Sequence, residues 1–251
     1  MSQHISRRSM LGLAAGSALS VVVSQSLLGC AADAVTDSSG TSSDSTGTTT
    51  STSCVLTAAL TEGPYFVDEK LYRSDIRTDP VTGAVAAGVL LQLAFNVARV
   101  ANSACTPLTG AYLDVWHCNA GGVYSDVSGA GAGEKFLRGY QITDASGVAQ
   151  FTTIYPGWYS GRAVHVHFKL RLFAGATTSY EFTSQFLFDD SLTDTVHALS
   201  PYNSRGTRDT RNTADSIYNS LSASEKAALT LQAAASGSGY TGVIDLDVNV
   251  G

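Results

Sequence analysis

From Cys54 onward the chain is a series of short apolar runs, several of them alternating apolar with polar positions. The runs are residues 89–97, 111–116, 136–143, 149–154, 163–173, 180–188 and 242–248. Period-two alternation over such lengths reads as half-buried β-strands. Turn signals separate them: Thr82-Gly83, Asn119-Ala120-Gly121-Gly122, Asp144-Ala145-Ser146-Gly147 and Pro156-Gly157. The pattern predicts an all-β domain, a β-sandwich with long loops, over residues 54–251. One short C-terminal helix is expected over residues 224–235, opened by a serine cap with Glu225 in its first turn. No internal repeat is visible.

The first 53 residues follow other rules. Arg7-Arg8 precede an apolar stretch from Leu11 to Val23 rich in Ala and Gly. A basic start and a short apolar run predict an export signal over residues 1–29. The paired arginines resemble a twin-arginine signal, and an ordinary Sec signal fits the same stretch. The run is too short and too weakly apolar for a good membrane span. Leu27-Leu28-Gly29-Cys30 resembles a lipobox, so Cys30 is the expected lipidation site. Residues 30–53 then read as a flexible Ser/Thr-rich tether with nothing to build a core. The expected location is the cell envelope or extracellular face, with the membrane reached through the lipid alone.

Composition narrows the function. Charged residues make up 14% of the 251, and the formal net charge is −6. A phosphate-reading nucleic-acid binder needs a basic surface, which this chain lacks. Four cysteines are too few for a disulfide scaffold. With Cys30 assigned to lipid, Cys54 and Cys105 lie at or before strand segments and are the expected disulfide in an oxidising compartment. Cys118 reads most simply as a buried free thiol, although its pairing with either of the others stays open.

Candidate chemistry centres on His165-Val166-His167. On a strand both imidazoles share one face, while Val164, Val166 and Phe168 share the other. Two converging imidazoles are half of a metal site. Tyr159 lies six residues upstream, after a Pro-Gly turn, and Tyr124 follows a Gly-rich turn. A zinc hydrolase using His165 and His167 would leave both tyrosines without a role and lack a third His or carboxylate. A non-catalytic, lipid-tethered β-sandwich binding module is the rival from another class. Neither rival would be coloured or carry iron.

Three segments resemble the intradiol ring-cleavage dioxygenases, the family of protocatechuate and catechol dioxygenases. They are Thr61-Glu62-Gly63-Pro64-Tyr65-Phe66, Asp114-Val115-Trp116-His117 through Tyr124-Ser125, and Pro156-Gly157 through His165-Val166-His167-Phe168. The likeness is nearest to exported members, since a Ser/Thr tether occupies the place of the helical N-terminal segment of catechol dioxygenases. The resemblance implies Tyr124, Tyr159, His165 and His167 as ligands of non-haem Fe(III). Hard phenolate oxygens and imidazoles suit that ion. It implies Arg162 and Gln185 beside the reacting ring and the oxygen, and Tyr159 as the ligand that a catechol displaces. It implies Gly63, Pro64 and Tyr65, with Arg162, as substrate contacts. The expected reaction joins O2 to a catechol-type ring and yields a muconate-type diacid without external reductant. Pocket shape near Tyr65, Val123 and residues 200–212 is expected to set substrate choice, and assembly into an oligomer is left open. His117 reads as structural, and His197 as a residue of a polar segment without partners.

Overall fold

The computed structural model describes residues 54–250. The export segment, Cys30 and the Ser/Thr tether lie outside the described residues. Ten strands carry the domain: β1 (Leu90–Ala101), β2 (Ala104–Pro107), β3 (Tyr112–Trp116), β4 (Arg138–Ile142), β5 (Val148–Ile154), β6 (His165–Ala174), β7 (Thr177–Phe188), β8 (Thr230–Leu231), β9 (Ala234–Ser236) and β10 (Gly239–Val248). In one sheet β1 pairs parallel with β10, and antiparallel with β2 at one end and β5 at the other. β9 completes this sheet against β10. The second sheet runs β4-β3-β6-β7-β8.

The alternation seen in the sequence sets which faces meet. Leu91, Leu93, Phe95 and Val97 of β1 are buried while Gln92 and Asn96 between them are exposed. Across the sandwich stand Val166, Phe168 and Leu170 of β6 in the same core. Phe95 meets Phe168 at 5.6 Å and Phe151 at 6.0 Å between ring centroids. Each such buried side chain contributes roughly 1.5–3 kcal/mol of transfer free energy. Since β6 keeps strict alternation here, its other face carries His165, His167, Lys169 and Arg171, all buried under loops.

Helices are more numerous than the sequence pattern predicts. α1 (Asp190–His197), α2 (Ser216–Asn219) and α3 (Ala223–Ala228) are all short. The helix expected over 224–235 stops at Ala228. Leu229 and Leu231 are both buried, and Leu229 accepts the backbone N–H of Leu187 through its carbonyl. Pairing with β7 overrides the helical preference of the alanines that follow. The start of α3 keeps the expected chemistry, with its serine cap two residues upstream of Ser224. Ser222 and Glu225 form a reciprocal capping box. Cys54 and Cys105 are joined, with Cα atoms 5.7 Å apart, and Cys118 is a buried free thiol.

Candidate metal centre

Strand register brings three side chains onto the loop-covered face of the second sheet. His167 on β6 lies opposite Trp116 on β3 and Gln185 on β7. Trp116 stacks on the His167 ring at 4.9 Å with planes 6° apart. Above them runs a strap, residues 61–71. Its Gly63 has φ +69, and a Cβ there would sit 3.5 Å from the His167 ring. Tyr65 stacks on Tyr124 at 4.2 Å and meets Tyr159 edge-on at 5.7 Å. Pro64 is exposed at the rim. Ion pairs hold the strap down: Glu62 to Lys169, and Asp68 to Arg171 at 3.0 Å.

The two tyrosine loops meet backbone to backbone, and glycine permits it. A Cβ on Gly122 would lie 2.1 Å from the Trp158 carbonyl oxygen, and one on Gly157 would lie 2.4 Å from that of Ala120. The Gly157 N–H donates to the Asn119 carbonyl at 3.2 Å. Asn119 also shapes its own turn, its side chain accepting from the N–H groups of Gly121 and Val123. The glycines read as turn formers are thus also contact points, and they set Tyr124 against Tyr159, ring centroids 5.7 Å apart.

Four donor atoms converge. The His165 Nδ1–H donates to the Ala163 carbonyl at 2.6 Å, which leaves Nε2 with a lone pair alone. Around that lone pair stand Tyr124 Oη at 3.4 Å, Tyr159 Oη at 3.3 Å and His167 Nε2 at 3.1 Å. One lone pair cannot accept three hydrogen bonds. A cation shared by the four atoms removes the conflict, and the donor set fits one. Burial pushes His165 down to about 3 and, aided by His165 and Arg162, holds His167 well below the ordinary histidine range. Both rings are therefore neutral and able to donate lone pairs. Burial also pushes Tyr159 up to about 12 and Tyr124 well above the usual phenol range. Ionised phenols in this position call for a compensating positive charge. Among the described residues no three His, Cys, Asp or Glu side chains gather as a metal-ligand set. A zinc site of the hydrolase type would thus find no third ligand among them.

A profile described as "Dioxygenase" matches residues 61–198, more than half of the chain. The chain belongs to the intradiol ring-cleavage dioxygenase family. It is similar to the intradiol ring-cleavage dioxygenase from Tetranychus urticae, with 25% identity and a TM-score of 0.67 over 78% of this chain and 95% of that one. The dioxygenase domain of a dioxygenase carbohydrate-binding protein fusion from Streptomyces sp. SirexAA-E is 27% identical, with a TM-score of 0.55, over 78% of this chain and all of that one. A chlorocatechol 1,2-dioxygenase of Pseudomonas putida is 31% identical over 114 residues, 38% of this chain and 42% of that protein. A catechol 1,2-dioxygenase of Acinetobacter lwoffii is 31% identical over 99 residues, 32% of this chain and 30% of that protein. The match therefore spans less than half the length of either curated relative.

Around the donor atoms of this dioxygenase-family chain lies a polar network. Arg162, with 16% of its side chain exposed, donates Nε–H to Asp215 at 2.8 Å and Nη2–H to Gln185 at 2.5 Å. Gln185 is fully buried and donates to the Thr61 carbonyl of the strap at 3.2 Å. His117 is committed elsewhere: Nδ1–H donates to the Cys118 carbonyl, and Nε2 accepts from Thr153. His197 departs from the sequence expectation. It donates to the Pro156 carbonyl at 3.0 Å and stacks on Tyr202 at 5.1 Å, because α1 turns it inward. Two residues escaped sequence reasoning. Buried Arg138 ties the strap to the Tyr124 loop, donating to the carbonyls of Tyr65 at 2.7 Å and Ser125 at 3.0 Å. Asp215 is the other, and its only sequence signal is an Asp preceding a short helix.

Proposed function

We propose that this chain is a ferric non-haem dioxygenase that cleaves a catechol-type ring between its two hydroxyl-bearing carbons with O2, giving a muconate-type diacid. The observation that carries this reading is the convergence of two phenol oxygens and two neutral imidazole nitrogens on one point. Tyr124, Tyr159, His165 and His167 would hold the ion. Bound Fe(III) would supply Lewis acidity that draws electron density from a catecholate and makes the ring reactive toward O2.

The protein's own groups then have distinct tasks. Tyr124, His165 and His167 are almost wholly buried and stay in place. Tyr159 is half-buried and would be the more accessible of the two phenol donors, its Oη placed to take a catechol proton. Burial favours that protonated state. Arg162 has Nε and Nη2 committed to Asp215 and Gln185, and Nη1 remains to meet negative charge developing on the ring. Gly63, Pro64 and Tyr65 form the substrate side, with Tyr65 setting the distance between ring and strap. Gln185 holds Arg162 through its amide oxygen and the strap through its amide NH2. The same reading retains an exported, lipid-tethered protein, which mass spectrometry of Cys30 in the membrane fraction would test.

Oxygen uptake by the mature protein, measured against unsubstituted, chlorinated, hydroxylated and carboxylated catechols, tests the activity. About one iron per chain, a red-brown colour and a diacid product are expected. A colourless, iron-free or zinc-loaded protein without oxygen uptake would overturn the proposal. Arg162→Ala should keep iron and colour while turnover falls by roughly 10²–10³, the usual loss on removing one transition-state partner.

A further inference from the structure

Asp215 has no accessible surface, and its two carboxylate oxygens divide four N–H donors between them. Oδ1 accepts from the backbone of Ile217 at 2.9 Å and Tyr218 at 3.0 Å, capping α2. Oδ2 accepts from Arg162 Nε at 2.8 Å and from the Ala163 backbone N–H at 2.9 Å. The path continues through that residue, because the Ala163 carbonyl accepts the His165 Nδ1–H at 2.6 Å. One carboxylate is thereby tied both to the guanidinium and, through one residue, to an imidazole of the donor cluster.

We propose that Asp215 is the positioning residue of this site, a buried anion that fixes Arg162 against Gln185 and locks the 163–165 backbone that aims His165. The inference rests on the reading of Arg162 as the group that meets charge on the ring. A helix cap alone does not account for Asp215. Capping uses one oxygen, and Asn or Ser would serve as well. A buried carboxylate is costly unless paired and hydrogen-bonded, and here the second oxygen has only the site to serve. Burial works to raise Asp215, yet the N–H groups of Tyr218 and Ala163 and the Arg162 guanidinium hold it below the usual carboxylate range. Without that anion, a part-exposed arginine would be held by one neutral amide. Its side chain would regain much of its rotamer freedom.

Asp215→Asn separates the two roles. Asparagine keeps an oxygen for the helix N–H groups, and its NH2 then faces Arg162 and Ala163, donor against donor. In the iron-free protein, the Arg162 Nε–H resonance should exchange with water at least about tenfold faster than in wild type. In the iron-loaded protein, kcat should fall roughly 10–100-fold while KM moves less than about threefold. Combined with Arg162→Ala, the loss from Asp215→Asn should shrink to what its hold on the 163–165 backbone contributes, so the two losses fall short of multiplying. A kcat and an Arg162 exchange rate like wild type, beside a crippled Arg162→Ala, would overturn the inference alone. So would losses that multiply in the double variant. If Arg162→Ala itself turned over at the wild-type rate, the parent reading would fail and this inference with it. Should Asp215→Asn not fold, Asp215→Ser makes the same comparison, keeping a cap oxygen and lacking the second one.

Discussion

The two tyrosines of the cluster differ in what surrounds them, and the difference predicts unequal consequences of removing each hydroxyl. Tyr124 is 4% exposed, stacked under Tyr65 and within 3.4 Å of His165 Nε2. Tyr159 sits half-exposed at the rim, 3.3 Å from the same nitrogen. Phenylalanine preserves the ring contacts at both positions, so each substitution removes an oxygen with little change in packing. Tyrosinate bound to Fe(III) gives a visible charge-transfer band, and either substitution should weaken it. Under the proposed function Tyr124→Phe should also lower iron content, because Tyr124 is the more deeply buried of the two phenol donors. Tyr159→Phe should retain most of the iron and shift the band. Metal analysis beside visible spectra of both variants checks this, and two unchanged spectra would remove the tyrosines from the ligand set.

Between elements, the site depends on close backbone contact between loops as well as on strand pairing. Gly122 has φ +78 as well as a carbonyl 2.1 Å from where a Cβ would be, so Gly122→Ala is strained twice over. It should cost roughly 1–3 kcal/mol from backbone conformation alone, more if the loops part. Denaturant unfolding measures the cost, and a perturbed tyrosinate band would report the parting of Tyr124 from Tyr159. The sequence made the facing glycine turns visible but not that they touch, since contact between residues 122 and 158 is a property of the fold. Strands with strict alternation, such as residues 91–97, were legible for the same reason that they are stable: one face is buried. β2 was not, because all four of its residues are exposed and carry no hydrophobic signal. α1 is polar except for a few positions, and the local marks of its start were Asp189, which caps it through the N–H groups of Ser191 and Leu192, and Asp190 in its first turn. The donor cluster was legible because His165 and His167 lie two apart on one strand. Asp215 was not, standing 53 residues from the arginine that it holds.

At the scale of the molecule, the segment that roofs the site also ties the two sheets together. Thr57 donates its N–H to Asp247 on β10 at 2.9 Å, and three residues on Leu60 donates to Thr183 on β7 at 3.0 Å. From there the strap crosses the second sheet, pinned by Lys169, Arg138 and Arg171. Its beginning is fixed covalently, Cys54 being joined to Cys105 on β2 across 51 residues of sequence. Closing a loop of that length restricts the unfolded chain, and a native disulfide of this kind contributes about 2–4 kcal/mol. Reduction, or paired Cys54→Ser and Cys105→Ser substitution, should therefore lower Tm by roughly 5–15 °C for a domain of this size. The site should survive the loss. Its own pins lie further along the strap, and the donor histidines stand on the second sheet while Cys105 belongs to the first. Thermal unfolding with and without reductant, read beside the tyrosinate band below the transition, separates the two effects. A band lost at temperatures where the domain remains folded would mean that the disulfide shapes the site directly.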